Sequence, residues 1–224
     1  LLLVSFHKHC NFACMTTKSL LLTICYLGCH SWATAQNVDS LFAHVPESVC
    51  PILVQSNRLD LLDLYNSRMK AVTPNLYGGQ TILAEKSENF LKLQQTESTD
   101  WCMKLYKAPQ QAYILVCQTF RAPYAESVLS WYDTQWKATT PPAGFTLPAP
   151  TDFAESDSLK DVVNAWPAHY INASLTANSD SIHFTITPMN SSSALNELTR
   201  KDLNTITLKW DRQKYQFVNC PTQK

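Results

Sequence analysis

The sequence predicts an α+β fold in which a few helices pack on antiparallel β-meander sheets. Three strand patterns follow one another at residues 101–107, 112–120 and 126–133, and apolar and polar residues alternate in the first two. A helical pattern precedes these strands, and a second helical pattern follows them. Each helical pattern is followed by strands that read as a meander, so the chain can be divided into two helix-plus-meander halves.

Composition limits the classes of function that the chain can have. It has 224 residues, a formal net charge of +0, 45% hydrophobic residues and 16% charged residues. These values are typical of a globular domain with its own core. Balanced charge argues against nucleic acid as a main partner, because phosphate binding needs clustered Lys and Arg. No run of about 20 apolar residues follows the N-terminal region, so we expect no transmembrane span in the mature chain.

The N-terminal region has the layout of a secretory signal peptide at residues 15–35. The first methionine is Met15, and Lys18 supplies a positive n-region. An apolar run covers residues 20–29, and Ala33-Thr34-Ala35 forms an A-x-A cleavage site. We therefore expect export to the periplasm or the cell envelope.

Cleavage after Ala35 leaves a single α+β domain at residues 36–224. Residues 1–14 are interpreted as an upstream over-extension of the reading frame. A lipoprotein signal is the alternative, because Gly28 precedes Cys29 as lipid attachment requires. In that case the protein is anchored at Cys29.

The first half, residues 36–138, begins with two predicted helices. The first is a short amphipathic segment at residues 38–44. Ser56 or Asn57 can cap the second, which we expect to run to about Lys70. Its predicted core-facing residues recur at helical spacing and are Leu59, Leu62, Tyr65 and Met69, with Leu61 and Leu64 widening the apolar stripe. Two strands at residues 80–85 and 90–95 lead to the central run.

The central hairpin has one register that gives a consistent core face. With the turn at Pro109-Gln110, the core-facing pairs are Trp101 with Gln118, Met103 with Val116, and Leu105 with Ile114. The opposite face pairs Cys102 with Cys117, Lys104 with Leu115, and Tyr106 with Tyr113.

The proline-rich segment at residues 139–150 joins the first half to the second, residues 151–224. Ser156 or Asp157 can cap a helix that continues through Trp166. The next hairpin pairs Ile171 with Ile186, Ala173 with Phe184, and Leu175 with Ile182. After a short helix or loop at residues 194–204, a last hairpin turns at Asp211-Arg212 and pairs Leu208 with Tyr215 and Ile206 with Phe217.

Several short segments carry a family resemblance. They are Asn57-Arg58-Leu59-Asp60, Met69-Lys70-Ala71-Val72, Tyr77-Gly78-Gly79, Trp101-Cys102-Met103-Lys104-Leu105, and Ala122-Pro123 leading to Trp131-Tyr132-Asp133-Thr134-Gln135-Trp136-Lys137. The chain resembles a family of uncharacterised exported proteins of Bacteroidetes-type bacteria, a domain of unknown function. The resemblance covers most of the mature chain and implies a cell-envelope location. It transfers no catalytic residue, cofactor or ligand.

The mature chain has four cysteines: Cys50, Cys102, Cys117 and Cys220. An exported protein enters an oxidising compartment, so disulfides are candidates. The hairpin register places Cys102 opposite Cys117, and a Cys50–Cys220 bridge would tie the ends of the domain together. Buried free thiols are the alternative. We predict no metal site, because no two of these cysteines have a Cys-x₂₋₄-Cys spacing, and we predict no cofactor.

The leading prediction is a non-catalytic exported module that binds an envelope protein or a glycan. Its candidate binding residues are aromatic and would form an exposed patch: Tyr124, Trp131, Tyr132 and Trp136. Aromatic residues on strands are more often part of the core. A structural module of a larger envelope complex is a further alternative.

An enzyme is the other alternative, in the form of a glycan-processing hydrolase. Asp133 and Asp152 follow aromatic stretches, and sugar hydrolysis uses paired carboxylates. A serine hydrolase site around His183 with Asp180 lacks a Gly-x-Ser-x-Gly elbow. We therefore assign no catalytic residue.

Overall fold

The computed structural model describes residues 37–189 and 203–220, and these form two antiparallel sheets with a few helices. The predicted α+β meander class is confirmed. The helices are α1 (Val38–Ala43), α2 (Gln55–Asn66) and α3 (Asp157–Asn164), with a 3₁₀ helix at Pro150–Phe153. None of the helices in these two ranges is long and apolar enough to cross a membrane.

The first sheet has six strands in the order β1-β2-β3-β4-β5-β6. They are β1 (Val72–Pro74), β2 (Gln80–Lys86), β3 (Phe90–Gln94), β4 (Thr99–Lys107), β5 (Ala112–Phe120) and β6 (Glu126–Tyr132). The second sheet has four strands in the order β10-β9-β8-β7. They are β7 (His169–Ser174), β8 (Ser181–Pro188), β9 (Ile206–Asp211) and β10 (Gln216–Cys220).

The register of the central hairpin, β4 with β5, is confirmed. Trp101 pairs with Gln118, Met103 with Val116, and Cys102 with Cys117. The side-chain period of a strand is two, so this register fixes which residues of β4 share a face.

Both faces of β4 are buried, whereas the sequence indicated one core face. Trp101, Met103 and Leu105 pack in a core with α1 and α2. The other face contributes Cys102 and Tyr106 to a second core, formed with residues of β7–β10. The first sheet is therefore the middle layer, with helices on one side and the second sheet on the other.

The buried face of helix α2 overlaps the predicted one in part. Leu61 and Leu62 are buried as predicted, and Leu64 and Tyr65 pack against the same core, whereas Leu59 is 47% exposed. Arg58, which the predicted stripe did not include, is also buried. Its guanidinium Nη1 donates a hydrogen bond to the Leu53 carbonyl at 2.6 Å, and its Nε is buried without a partner.

The ends of α2 also differ from the prediction. The helix ends at Asn66 rather than near Lys70, and Met69 is 61% exposed. Its N-cap is Val54, without a side-chain cap. Asn57 instead donates from Nδ2 to the Pro74 carbonyl at 2.7 Å, which ties the helix to β1.

The second sheet confirms one predicted hairpin and corrects the other. Ile171 pairs with Ile186 and Ala173 with Phe184 as predicted, although β7 ends at Ser174, before the predicted Leu175–Ile182 pair. In the last hairpin Trp210 pairs with Phe217, and Leu208 pairs with Asn219. The predicted helix or loop at residues 194–204 lies almost wholly outside the described residues.

The last hairpin has a longer loop than a two-residue turn. The Asp211 carboxylate accepts the backbone N–H groups of Gln213 at 2.8 Å and Lys214 at 3.1 Å. Tyr215 has a φ of 53° and leads back into β10. These local hydrogen bonds move the turn beyond Asp211-Arg212, so the predicted pairing was wrong in register.

Candidate functional site

The four aromatic candidates do not form one exposed patch. Trp131 is 7% exposed and lies in the core between the two sheets. Tyr132 and Trp136 are partly buried against the core on the helix side of the first sheet. Tyr124 contacts Tyr170, with ring centroids 5.6 Å apart. The four side chains are thus divided between opposite faces of the first sheet.

The carboxylates considered for a hydrolase stabilise turns. Asp133 Oδ1 accepts the backbone N–H groups of Gln135 at 2.8 Å and Lys137 at 2.9 Å. Asp152 Oδ2 accepts the backbone N–H of Ala149 at 2.7 Å. Neither arrangement presents a pair of facing carboxylates.

The His183 candidate has structural partners of its own. His183 Nδ1 lies 2.9 Å from Thr207 Oγ1, across β8 and β9. Asp180 Oδ2 accepts from Arg212 Nε at 2.5 Å. In residues 37–189 and 203–220 no group of three His, Cys, Asp or Glu side chains is placed to hold a metal ion.

The four cysteines within the described residues are free thiols, so neither candidate disulfide is formed. Cys102 and Cys117 face each other across β4 and β5, and both are buried. A hydrogen bond between the two thiols, together with burial, raises the pKa of Cys102 well above its ordinary value. The same hydrogen bond lowers the pKa of Cys117.

A polar site lies between the two sheets, beside this cysteine pair. It is a cleft of about 230 Å³ that we call the aspartate cleft. The first sheet supplies Lys92, Asp100, Cys102, Cys117, Thr119 and Arg121, and β7 with the residue after it supplies Asn172, Ala173, Ser174 and Leu175. Its volume is below the roughly 300–1,000 Å³ of pockets for drug-sized ligands, so it suits a small molecule.

Asp100 is the central residue of the aspartate cleft. Its side chain is 10% exposed, and its Oδ2 atom lies 3.2 Å from Lys92 Nζ and accepts a hydrogen bond from Arg121. The second oxygen, Oδ1, is buried and has no hydrogen-bond partner. A carboxylate has about four lone-pair sites, so Asp100, which lines the cleft, retains unused acceptor capacity at Oδ1.

Strand geometry brings these three charged residues together. Asp100 pairs with Gln94 in the β3–β4 ladder, and Lys92 lies two residues before Gln94 on β3, on the same face. Arg121 follows β5 directly, and its backbone N–H donates to the Ser98 carbonyl at 2.9 Å. The Lys92 and Arg121 side chains are 33% and 45% exposed, so both retain donors that face solvent.

The wall from the second sheet is held in place by Ser127 of β6. Ser127 Oγ lies 2.8 Å from Thr119 Oγ1 and accepts the Ala173 backbone N–H at 2.9 Å. It also donates to Asn172 Oδ1 at 3.2 Å. The two sides of the cleft are thus joined by hydrogen bonds rather than by apolar contact alone.

The charged groups of the aspartate cleft are unequal in number. It holds two cations and one carboxylate, and therefore favours an anionic group. The free Oδ1 of Asp100 favours a hydrogen-bond donor beside that group. Sequence reasoning missed this site because its charged residues come from three separate segments. One local signal was present: Asp100 precedes Trp101 inside a buried strand, where an unpaired charge is costly.

The fold of this chain is similar to that of a known structure. The chain is similar to a solved structure described as a domain of an uncharacterised protein from Porphyromonas gingivalis W83, with a TM-score of 0.64 and 20% sequence identity. That match covers 82% of this chain and 97% of the other. At this identity the likeness shows a shared α+β fold.

The family itself follows from the sequence match. Residues 31–215 match the family described as "Protein of unknown function (DUF3256)", and the chain belongs to that family. No curated protein matches the chain. The resemblance to a family of uncharacterised proteins is therefore confirmed in its coarser form, a domain of unknown function with a structural neighbour in Bacteroidetes.

Proposed function

We propose that this chain is an exported, non-catalytic module of the periplasm or cell envelope that binds a small polar ligand in the aspartate cleft. One observation carries the binding proposal. Asp100 is nine-tenths buried between two cations, and its Oδ1 atom has no partner. Buried polar groups in folded proteins nearly always have partners, and those without one are often functional.

The charges of the cleft define the class of ligand. Arg121 and Lys92 each use one N–H donor to contact the same carboxylate oxygen of Asp100, and both have further donors that can bind an anion. A planar guanidinium suits a carboxylate, which it can bind through two parallel hydrogen bonds. The ligand is therefore a carboxylate with a hydrogen-bond donor on the adjacent carbon. Both α-hydroxy acids and α-amino acids have this chemistry.

A titration with three matched probes tests the binding proposal. L-lactate and L-alanine carry a hydroxyl and an ammonium donor beside the carboxylate, and propionate carries neither. Amide chemical shifts of the ¹⁵N-labelled protein should change saturably with lactate or alanine at Asp100, Arg121 and Asn172. Saturable shifts with lactate but not alanine would identify the ligand class as α-hydroxy acids. Saturable shifts with alanine but not lactate would identify it as α-amino acids. No saturable change with either probe would refute the proposal.

Substitution of Arg121 tests whether the cleft is the site. Arg121→Met keeps much of the side-chain length and removes the anion-binding donors. It should weaken lactate or alanine binding by about tenfold, in line with the loss of a hydrogen bond to a charged group. Lys160→Met is the matched control, because Lys160 forms an exposed ion pair with Asp157 on α3. If Arg121→Met and Lys160→Met bind lactate or alanine with equal affinity, the ligand binds outside the aspartate cleft.

The export proposal is supported by the signal-peptide layout of residues 15–35. Mass spectrometry of the protein purified from its native cells tests it directly. A free N-terminus at Gln36 is the expected result, and an acylated Cys29 would support a lipid anchor. An uncleaved chain that retains Met15 would contradict export through this signal.

A further inference from the structure

A second cleft opens between the sheets near the other end of β4. Its volume is about 260 Å³, and we call it the tyrosine cleft. The residues that define its chemistry are Tyr106, Lys107, Asp180, Trp210, Arg212 and Tyr215. It shares no lining residue with the aspartate cleft.

The Tyr106 hydroxyl is the unusual group in this cleft. Tyr106 is 1% exposed, and its ring is packed by Trp131, Trp210 and Phe217 at centroid distances of 5.0–5.8 Å. Its buried oxygen has no hydrogen-bond partner. Burial and, next, the charge of Asp180 raise its pKa well above the ordinary value, so the hydroxyl stays protonated. It can therefore donate to a ligand and accept from it. Tyr106 and Asp180 line the same cleft.

The charges around the tyrosine cleft are balanced. Asp180 Oδ2 accepts from Arg212 Nε at 2.5 Å, and Lys107 Nζ lies 3.6 Å from Glu88 Oε1. Each cation of the cleft is thus matched by a carboxylate. The aspartate cleft has one cation more than it has carboxylates, whereas this cleft favours a ligand without net charge.

Aromatic rings supply the apolar part of the cleft. Trp210 is 4% exposed and forms the buried side, whereas Tyr215 is 41% exposed at the rim. Tyr215 has a φ of 53°, and its backbone N–H donates to the Asp211 carbonyl at 2.8 Å. The rim tyrosine therefore sits on a hydrogen-bonded loop and presents a ring surface to a ligand.

We propose that the tyrosine cleft binds a neutral monosaccharide unit. A sugar ring has a C–H face that packs on aromatic rings, and it has hydroxyls that both donate and accept. One hydroxyl would pair with the Tyr106 hydroxyl, and a neighbouring hydroxyl would donate to the Asp180 carboxylate. The ligand thereby satisfies the buried tyrosine oxygen without adding charge to a balanced site. This inference does not rest on the proposed function of the aspartate cleft.

The test uses D-glucose, D-galactose and N-acetyl-D-glucosamine as probes, with binding followed by amide chemical shifts. At least one of the three should give saturable shifts at Tyr106, Asp180 and Tyr215. Tyr106→Phe removes a single oxygen that has no protein partner, so the variant should fold with unchanged or higher thermal stability. It should bind the sugar about fivefold more weakly than the wild type.

Tyr113→Phe is the matched control, because Tyr113 lies directly opposite Tyr106 on β5 but does not line the cleft. It should bind the sugar as the wild type does. Absence of saturable binding by all three sugars overturns the proposal, and so does unchanged binding by Tyr106→Phe. Lactate binding at the aspartate cleft should survive Tyr106→Phe, which keeps the two tests independent.

Discussion

Lys104 Nζ lies 2.5 Å from the Ser179 carbonyl oxygen, and this contact joins the two sheets. Lys104 lies on β4 and is fully buried, whereas Ser179 belongs to the turn between β7 and β8. The same ammonium group donates to the Thr176 carbonyl at 2.8 Å and lies 5.3 Å from the Phe90 ring centroid. Burial lowers the pKa of Lys104, and the charge of Asp180 opposes that change.

We predict that Lys104→Met lowers the free energy of unfolding by about 3 kcal/mol, because it removes the two hydrogen bonds that the buried ammonium donates to the Thr176 and Ser179 carbonyls. Urea unfolding followed by circular dichroism measures the change. Lys107→Met is the control, since Lys107 is exposed on the same strand and should change stability by less than about 0.5 kcal/mol. Equal effects of the two substitutions would mean that the buried ammonium does not join the sheets.

Gly144 is predicted to tolerate no side chain. Its φ is 76°, and a Cβ atom added there would lie 2.0 Å from the Phe217 carbonyl oxygen of β10. Gly144→Ala should therefore destabilise the protein by about 3 kcal/mol, from backbone strain and displacement of the strand edge. Gly78→Ala is the control, with a φ of 79° and no atom within 4 Å of the added carbon. It should cost about 1 kcal/mol, and a similar cost at both positions would contradict the close packing of Gly144 on β10.

Cys50 should make stability depend on pH in the alkaline range. Burial raises its pKa from 9.0 to about 11 in the folded protein. A group with a raised folded-state pKa contributes stability below its unfolded pKa and loses that contribution as pH rises through the folded pKa. We expect Cys50 to contribute about 3 kcal/mol below pH 9 and to lose it towards pH 11.

The comparison with Cys50→Ala isolates this contribution, because other groups also titrate in that range. The stability difference between wild type and variant should shrink between pH 9 and pH 11. Free energies of unfolding from urea titrations at several pH values measure it. Parallel pH profiles for the two proteins would contradict the assignment.

Thiol reactivity should differ among the four cysteines that the structure describes. Cys220 is partly exposed, whereas Cys50, Cys102 and Cys117 are buried. Since the thiolate is the nucleophile, burial and the raised pKa of Cys102 should protect that residue from alkylation in the native state. Peptide mapping after iodoacetamide treatment should find Cys220 modified first. A cross-linked Cys102–Cys117 peptide under non-reducing conditions would contradict free thiols at this pair.

Sequence analysis predicted the register of the central hairpin, because one register places the apolar residues of β4 opposite those of β5 on a common face. It did not predict that the second face of β4 is buried. Cys102, Lys104 and Tyr106 read as a mixed face, and the carbonyls that satisfy Lys104 belong to residues more than 70 positions further along the chain. Such long-range partners leave no local pattern.

The aspartate cleft was unpredictable for the same reason. Lys92, Asp100 and Arg121 are brought together only by the pairing of β3, β4 and β5. The aromatic run from Trp131 to Trp136 was predicted to form a binding patch because its aromatic residues lie close together in the sequence. Its side chains lie on both faces of the sheet, and Trp131 is part of the core between the two sheets. In this chain the clustered aromatic residues pack in the cores, whereas the candidate site is centred on Asp100, a charged residue in a buried strand.

The affinity ratio of L-lactate to propionate for the wild-type protein tests the central claim most directly. The two ligands share the carboxylate and differ by the hydroxyl that we expect Asp100 Oδ1 to accept from. Isothermal titration calorimetry should give about tenfold tighter binding of lactate, as expected for a hydrogen bond to a charged acceptor. Equal affinities, or no binding of either ligand, would contradict the assignment of Asp100 as the centre of a binding site.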